Sequence, residues 1–443
     1  MSEGQQPANH INPPSDNKER VGSARPRATA AAIADGKVLV ELVYDAERER
    51  TGFARFEEGH WRLVSEYTSS KGRRLVPYAA QNNLISNRVV LLPSAPEEYG
   101  THGQLLGEIE AFIHRYVDVS PTFEKIASHY VLLSWLYDGF NELPYLRLRG
   151  DYGSGKTRFL LTVGALCYKP IFASGASTIS PIFHILDAFQ GTLVIDEADF
   201  RFSDEKADMV KILNNGNVRG IPILRNELSP TKEYNPRAFQ VFGPKIVATR
   251  GYYQDRALES RFITEEMGTT ALRDEIPINL PTAYQTEALA LRNKLLLYRF
   301  HRYGRAYAAQ PDLDRTIEPR LRQILAPLMS VGDESLKEDL RLLARQYHRD
   351  MLAERGMDTE ARVLEAIREL ATESSAEPLT VKAVTERFTA RFGGEADRPP
   401  TNKWIGGVIR RRLNLHTQKS HGNFIIPRHE QEKLARLYER YGL

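Results

Sequence analysis

A glycine-rich segment, residues 150–157, constrains this chain more than any other feature. Its sequence, Gly-Asp-Tyr-Gly-Ser-Gly-Lys-Thr, fits G-x-x-x-x-G-K-[ST]. Residues 145–148 before it, Tyr-Leu-Arg-Leu, have a strand pattern, and residues 158–166 after it have a helical one. Glycines at this spacing let backbone amides turn inward around phosphates, to which Lys156 adds a charge and Thr157 a metal-binding hydroxyl. The sequence therefore predicts a parallel α/β sheet with a phosphate-binding loop.

We expect this loop and the residue after it to bind ATP. The predicted nucleotide contacts are Gly150, Tyr152, Gly153, Ser154, Gly155, Lys156, Thr157 and Arg158. Thr157 is also a predicted ligand of Mg²⁺.

A second half of the same site follows downstream. Residues 192–195 form an apolar strand pattern that ends in Asp196 and Glu197. Ligands bind at the carboxyl ends of strands in such sheets. Asp196 is predicted to hold Mg²⁺ and Glu197 to polarise the attacking water. An isolated apolar strand that ends in acids is more often structural, but its position downstream of a phosphate-binding loop favours catalysis.

Residues 240–249 predict a further strand that ends in Thr249. Thr249 is placed to orient the hydrolytic water between the phosphate and Glu197. The alternative is an ordinary threonine at a strand end.

Residues 255–262, Asp-Arg-Ala-Leu-Glu-Ser-Arg-Phe, come next, and here the chain resembles the AAA+ superfamily. That resemblance implies that Arg261 is an arginine finger, which projects into a neighbouring subunit's ATP site and offsets transition-state charge. Arg256 is the rival in the same segment. Its alternative role is a surface ion pair with Glu259 or Asp255.

The resemblance also implies a helical lid with one more arginine, named sensor 2. Residues 317–324 offer Arg320 and Arg322, and we favour Arg320. Arginine-rich helices often present only a solvated face, which is the alternative for both.

Two regions carry candidate DNA contacts. Residues 221–225 and 238–241 predict a β-hairpin with residues 229–236 at its tip. Such a hairpin resembles the channel hairpins of hexameric helicases of the minichromosome-maintenance and superfamily III types. That resemblance implies a phosphate contact by Lys232 and base stacking by Tyr234. An exposed turn with an ordinary lysine is the alternative.

The C-terminal region has the pattern of three helices and a two-stranded wing, which is typical of a winged helix-turn-helix. Its third helix and wing carry the candidate DNA contacts Lys403, Arg410, Arg411, Arg412 and Lys419. Some winged helices bind proteins instead, and the three arginines could serve solubility alone. We expect duplex DNA to be bound here.

The predicted fold class is α/β, with a P-loop AAA+ core and a helical lid between two smaller domains. The predicted units are a disordered tail (1–30), a small β-rich domain (36–95), a helical linker (104–140), the AAA+ core (141–270), the lid (283–355) and the winged-helix domain (358–443). The lone Cys167 excludes an internal disulfide. The absence of a signal sequence and of a long apolar stretch predicts a cytoplasmic chain without membrane contact.

These features predict an ATPase, dependent on ATP and Mg²⁺, that acts on single-stranded or forked DNA as a ring-shaped homo-oligomer. A hexameric DNA helicase in the replication of a mobile element or phage is the leading hypothesis, since the order of core, finger, lid and winged helix resembles such enzymes. One alternative is a helicase loader, initiator or transposition regulator that binds DNA without unwinding it. Another is a nucleotide-gated sensor or scaffold in defence, although such a switch does not need the pair Asp196 and Glu197.

Overall fold

The computed structural model describes residues 25–199, 204–228, 234–253, 255–268, 272–304, 313–356, 359–373, 378–392, 400–420 and 422–443. The N-terminal part of this chain is β-rich, as predicted. Its strands are β1 (Arg27–Thr29), β2 (Ile33–Asp35), β3 (Val38–Asp45), β4 (Arg50–Glu57), β5 (His60–Val64), β6 (Tyr67–Thr68) and β7 (Arg74–Pro77). They form a four-stranded antiparallel sheet, β2-β3-β4-β5, and a three-stranded sheet, β1-β7-β6.

One expectation for this part is wrong. The predicted disordered tail includes residues 27–29, but these form β1, which pairs in parallel with β7. Residues 88–92 have a strand pattern, yet they make only an isolated bridge between Val90 and Ile171. Arg88 has a left-handed φ of 56°, which interrupts the extended conformation that a longer strand would need. The rest of the predicted tail, residues 1–24, lies outside the described residues.

Three helices lead from the β-rich part to the central sheet: α1 (Asn83–Ser86), α2 (His102–Tyr116) and α3 (Pro121–Trp135). Helix α2 begins at a capping box, in which Thr101 and Gln104 bond each other's backbone amides. Such a cap satisfies amides that lack a partner in the first turn. The apolar faces of α2 and α3 enter the main core, which also includes Leu39, Val43 and Ala54 of the β-rich sheet.

The central unit is a five-stranded parallel sheet, as the sequence predicted. Its elements in chain order are β8 (Tyr145–Arg149), α4 (Lys156–Leu166), β9 (Ile171–Ser174), α5 (Ile179–Phe189), β10 (Leu193–Asp196), α6 (Asp204–Asn215), β11 (Ile223–Leu228), β12 (Tyr234–Phe239), β13 (Lys245–Thr249), α7 (Arg256–Glu259) and β14 (Phe262–Glu266). The strand order is β14-β8-β13-β10-β9, while β11 and β12 form a separate antiparallel hairpin. Strand β13 therefore lies between the strand before the glycine-rich loop and the strand that ends in Asp196.

The remaining elements are helical, apart from one short hairpin. They are α8 (Ala283–Arg302), α9 (Pro319–Val331), α10 (Glu334–Gly356), α11 (Thr359–Glu373), α12 (Val381–Phe392), α13 (Asn402–Gly407), β15 (Gln418–Ser420), β16 (Asn423–Ile425) and α14 (Gln431–Tyr441). Helices α8 and α9 belong to the main core. From α11 onwards the elements share a core of their own. Thr380 caps α12, since its hydroxyl accepts a hydrogen bond from the Ala383 amide at 3.0 Å.

A buried charge cluster joins the β-rich part to the central sheet and to α8. The Glu41 carboxylate of β3 accepts hydrogen bonds from Lys169 Nζ at 2.9 Å, Arg299 Nε at 2.7 Å and the Tyr168 hydroxyl at 2.8 Å. Arg299 also makes a two-pronged contact with Asp138, at 2.9 and 2.6 Å. Glu41, Lys169 and Arg299 are at most 1% exposed. Because isolated charges are costly to bury, this cluster fixes the three parts of the chain against one another.

Candidate nucleotide-binding site

The glycine-rich loop joins β8 to α4, and its shape depends on glycine. Gly153 and Gly155 have φ values of 76° and 90°, in the left-handed region that other residues rarely adopt. A Cβ atom on Gly150 would lie 2.6 Å from the Met267 carbonyl oxygen. Helix α4 begins at Lys156, so its free amides face the loop, where they favour an anion.

A cleft of about 340 Å³ lies in front of the loop. Six predicted nucleotide contacts line it: Tyr152, Gly153, Ser154, Gly155, Lys156 and Thr157. The Lys156 ammonium donates to the carbonyl oxygens of Gly150 at 2.6 Å and Asp151 at 2.5 Å. Burial lowers its pKa, and the charge of Asp196 opposes this shift. Main-chain oxygens therefore hold the Lys156 ammonium, and the oxygens of a bound phosphate would replace them as its acceptors.

The two predicted acids face the loop from the end of β10. The Thr157 hydroxyl donates to Asp196 Oδ2 at 2.6 Å, and Glu197 also lines the cleft. A hydroxyl and a carboxylate this close are the oxygen donors that Mg²⁺ prefers, so the residues present fit the predicted metal. The chain offers both oxygens at one edge of the cleft.

Glu197 has an unusual backbone, with a left-handed φ of 54°. Residues outside glycine rarely adopt this region, and such strain collects at functional sites. The Gly175 amide donates to the Asp196 carbonyl at 2.7 Å, and a Cβ on Gly175 would lie 2.0 Å from the Glu197 carbonyl oxygen. Gly175, which the sequence analysis did not single out, thus packs against the backbone of both acids.

Thr249 ends β13, between the loop strand and the acidic strand. The residue is 1% exposed, and its hydroxyl has no hydrogen-bond partner among the described residues. Its neighbours Ala248 and Arg250 line the cleft. A buried hydroxyl without a partner calls for an explanation, and a water or phosphate oxygen in the cleft would supply one.

Two further charged residues line the cleft, and sequence analysis missed both. They are Asp199 and Arg250, and Asp199 Oδ1 accepts a hydrogen bond from the Arg250 amide at 2.8 Å. This bond joins the segment after β10 to the segment after β13. Their positions in sequence, three residues after Asp196 and one after Thr249, are the signal that could have found them.

Arg158 lies outside the cleft lining. Its guanidinium donates to the carbonyl oxygens of Pro277 at 2.8 Å and Ile278 at 2.5 Å. Arg158 therefore holds the segment before α8 against α4, and a direct nucleotide contact by this residue stays a prediction.

Arg261 stands at the far end of the sheet from its own glycine-rich loop. The next residue, Phe262, pairs with Tyr145 at the start of β8, whereas Gly150 follows the end of that strand. The five steps from Tyr145 to Gly150 span about 16 Å, at roughly 3.3 Å each. The Arg261 side chain donates to Asn217 Oδ1 at 2.9 Å and to the Asn214 carbonyl at 3.2 Å. It is thus turned away from the cleft of its own chain.

Arg320 lies near Arg261 rather than in the cleft. Burial and the charge of Arg320 both lower the pKa of the Arg261 guanidinium. Arg320 Nη2 is buried and has no hydrogen-bond partner among the described residues. Two neighbouring cations of this kind favour an anion between them.

The rival finger, Arg256, is exposed on α7. Glu259, considered above as its partner, makes a two-pronged contact with Arg147 of β8, at 2.7 and 2.6 Å. Arg147 is 2% exposed. This buried pair fixes the finger segment to the strand that precedes the glycine-rich loop.

The DNA-facing candidates fall in two places. The predicted hairpin is present as β11–β12, but its strands are longer than expected: residues 234–236, which were predicted at the tip, belong to β12, and Tyr234 pairs with Leu228. Lys232 lies outside the described residues, and so does the side chain of Tyr234. In the C-terminal unit all five cationic candidates are exposed: Lys403, Arg410, Arg411, Arg412 and Lys419. Arg410 donates to Thr417 at 3.2 Å, and Arg412 pairs with Glu360 at 3.3 Å.

The sheet, the loop and the acids together define a P-loop α/β core. Solved structures with a similar arrangement include the NrS-1 C-terminal region, with 12% identity, 87% of this chain and 95% of that chain covered, and a TM-score of 0.38. The SCCmec type IV Cch active helicase has 10% identity, with 94% and 82% covered and a TM-score of 0.40. A full-length MCM homologue from Methanopyrus kandleri has 12% identity, with 72% and 80% covered and a TM-score of 0.35.

No protein-family model and no curated protein matches the chain. Identities and TM-scores this low carry no functional argument. Among the described helices, none is long and apolar enough to cross a membrane.

Proposed function

We propose that the protein is an ATP-dependent DNA helicase or translocase that works as a ring-shaped oligomer, with six subunits as the expected number. One observation carries this proposal: Lys156, Thr157, Asp196 and Glu197 meet in one cleft, whereas Arg261 stands at the opposite end of the sheet. A site whose finger lies out of its own reach needs a second subunit.

The chain's own residues can perform the steps of hydrolysis. Loop amides and the α4 terminus bind the phosphates, and Lys156 exchanges its carbonyl partners for phosphate oxygens. Thr157 and Asp196 would hold Mg²⁺, which offsets phosphate charge when bound. Glu197 polarises the attacking water, and the Thr249 hydroxyl orients it. Arg261 of one subunit, with Arg320 beside it, stabilises the charge at the site of the next.

The DNA-binding surfaces belong to the same proposal. The hairpin β11–β12 rises from the core between α6 and β13, which suits a contact with one strand through Lys232 and Tyr234. The unit from α11 to α14 has the element order of a winged helix. Its exposed cations at Lys403, Arg411 and Lys419 suit duplex phosphates. ATP turnover would then move the hairpins along one strand while this unit holds the duplex.

The first test measures ATP hydrolysis with and without single-stranded and forked DNA. We expect DNA to stimulate turnover, and we expect Lys156→Ala and Arg261→Ala to abolish it. Arg256→Ala is the matched control, because it removes an exposed arginine from the same segment and should leave turnover near the wild-type rate. Turnover that persists in Arg261→Ala and ignores DNA would refute the ring proposal. Displacement of a labelled strand from a fork then separates a helicase from a loader that binds without unwinding.

A further inference from the structure

Lys245, the first residue of β13, is a fully buried lysine that the site above does not use. The residue is 0% exposed. Its Nζ donates to three main-chain carbonyl oxygens, those of Val241 at 2.9 Å, Gly243 at 3.0 Å and Gly216 at 3.2 Å. An ammonium has three N–H donors, so each one has an acceptor.

The three carbonyls lie at both roots of the hairpin. Gly216 follows α6, where the chain leaves the core towards β11, and residues 241 and 243 lie where it returns from β12. The Gly243 amide also donates to the Gly216 carbonyl at 3.1 Å. A Cβ on Gly216 would lie 2.3 Å from Lys245 Nζ. Lys245 therefore closes the neck of the hairpin, and Gly216 leaves the space that its ammonium fills.

The same residue begins the strand that ends in the nucleotide cleft. Strand β13 pairs with β8 on one side and β10 on the other, and all of its residues are buried. At its start, the Lys245 amide donates to the Tyr130 hydroxyl at 2.9 Å. From Lys245 to Thr249 the strand spans about 13 Å, at roughly 3.3 Å per residue. A paired, buried strand is stiff, so a shift of the neck displaces Thr249.

A purely structural lysine is a poor explanation for this position. Burial lowers the pKa of Lys245 to about 7, and no carboxylate of a described residue forms an ion pair with it. An apolar side chain of similar volume would fill the space without that desolvation penalty. An ammonium is favoured over an apolar group at this position because its three N–H donors hold three separate backbone carbonyl oxygens together.

We propose that Lys245 is a positioning residue that couples the neck of the hairpin β11–β12 to Thr249, so that occupancy of the nucleotide cleft and occupancy of the hairpin by single-stranded DNA influence each other. The part of this inference that involves single-stranded DNA rests on the proposed function. The coupling from the cleft to the neck can be measured without DNA.

The decisive experiment compares the wild type with Lys245→Met by amide hydrogen exchange over residues 221–228 and 235–243, with and without a non-hydrolysable ATP analogue. We expect the analogue to slow exchange in the wild type, and we expect that change to vanish in Lys245→Met. Lys337→Met is the control, because it removes a lysine of α10 whose partner Glu334 is exposed, outside the hairpin, its neck and β13, and it should keep the wild-type response. An analogue-induced change of wild-type size in Lys245→Met would overturn the proposal, and so would its absence from the wild type.

The second measurement is the ratio of ATP turnover with and without single-stranded DNA. Lys245→Met should keep its basal turnover while the ratio falls to one, a split that a general loss of stability does not produce. Should Lys245→Met fail to fold, Lys245→Gln serves instead, since its amide has only two N–H donors and cannot hold all three carbonyls, and the same losses are expected. A wild type that DNA does not stimulate refutes the proposed function, while hydrogen exchange still decides the coupling.

Discussion

Replacing Glu41 tests whether the buried charge cluster holds the β-rich part to the rest of the chain. In Glu41→Leu, Lys169 loses its carboxylate partner and, among the described residues, keeps the Ala30 carbonyl as hydrogen-bond acceptor, while Arg299 keeps Asp138. Removing one member of a buried ion pair costs about 3–5 kcal/mol, because the partner charge stays buried without compensation. We expect the free energy of unfolding to fall by that amount.

The assay is urea unfolding followed by circular dichroism and tryptophan fluorescence. Trp135 is a useful reporter, because it is buried and its ring lies 5.3 Å from that of Tyr168 in the cluster. Arg48→Ala is the control, since its pair with Asp45 is exposed and such pairs contribute at most about 1 kcal/mol. A loss in Glu41→Leu no larger than in this control would refute the reasoning. The double variant Glu41→Leu, Lys169→Met should recover part of the loss, because it removes the unpaired lysine while Arg299 keeps Asp138.

The same cluster sets a pH dependence. Burial alone would raise the pKa of Glu41, but the charges of Lys169 and Arg299 outweigh burial and lower it. A lowered folded-state pKa stabilises the fold above the unfolded-state value and loses that effect as the pH falls through the folded-state value. The difference in unfolding free energy between the wild type and Glu41→Leu should therefore shrink as the pH falls below about 4. A difference that grows towards acid would contradict this sign.

Three further predictions concern the nucleotide site. Glu197→Gln should still bind ATP, measured by a fluorescent analogue, while turnover falls by about 10²- to 10⁴-fold; undiminished turnover would remove Glu197 from its role. Lys156→Ala and Arg261→Ala, each inactive alone, should regain partial turnover when mixed, because a site with an intact loop can then face an intact finger; no recovery at any ratio would count against shared sites. Gly175→Ala should lose turnover more than ATP affinity, since its methyl group displaces the Glu197 backbone, and equal losses of both would contradict that explanation.

Local sequence patterns predicted the parts of the site that local chemistry determines. The loop at residues 150–157 needs glycines and a lysine at a fixed spacing, and the two acids need only to follow an apolar strand. Both patterns can therefore be recognised in the sequence alone. Asp199 was missed because its role depends on the Arg250 amide, about fifty residues away in sequence. Arg158 was assigned by its position beside the loop, and only tertiary structure shows its guanidinium on the backbone of residues 277–278.

The β-rich part shows the other limit of sequence reasoning. Its strand pattern was mostly clear, but an acidic residue in the middle of an apolar strand gave no sign of its partners. The partners of Glu41 come from the turn after α4 and from α8, far away in sequence. The short strand at residues 27–29 was equally invisible, since three polar or small residues become a strand only when β7 lies beside them.

The placement of Arg261 and the glycine-rich loop at opposite ends of one strand has a consequence for symmetry. In the proposed oligomer each subunit presents two different surfaces, one that supplies the finger and one that receives it, and such a heterologous contact repeats head to tail. In an open chain of subunits the last cleft always lacks a finger, so the number of complete sites is one less than the number of subunits. Closure into a cycle completes that site with no change in any subunit. Specific activity should therefore rise with assembly size and reach its full value only when the cycle closes.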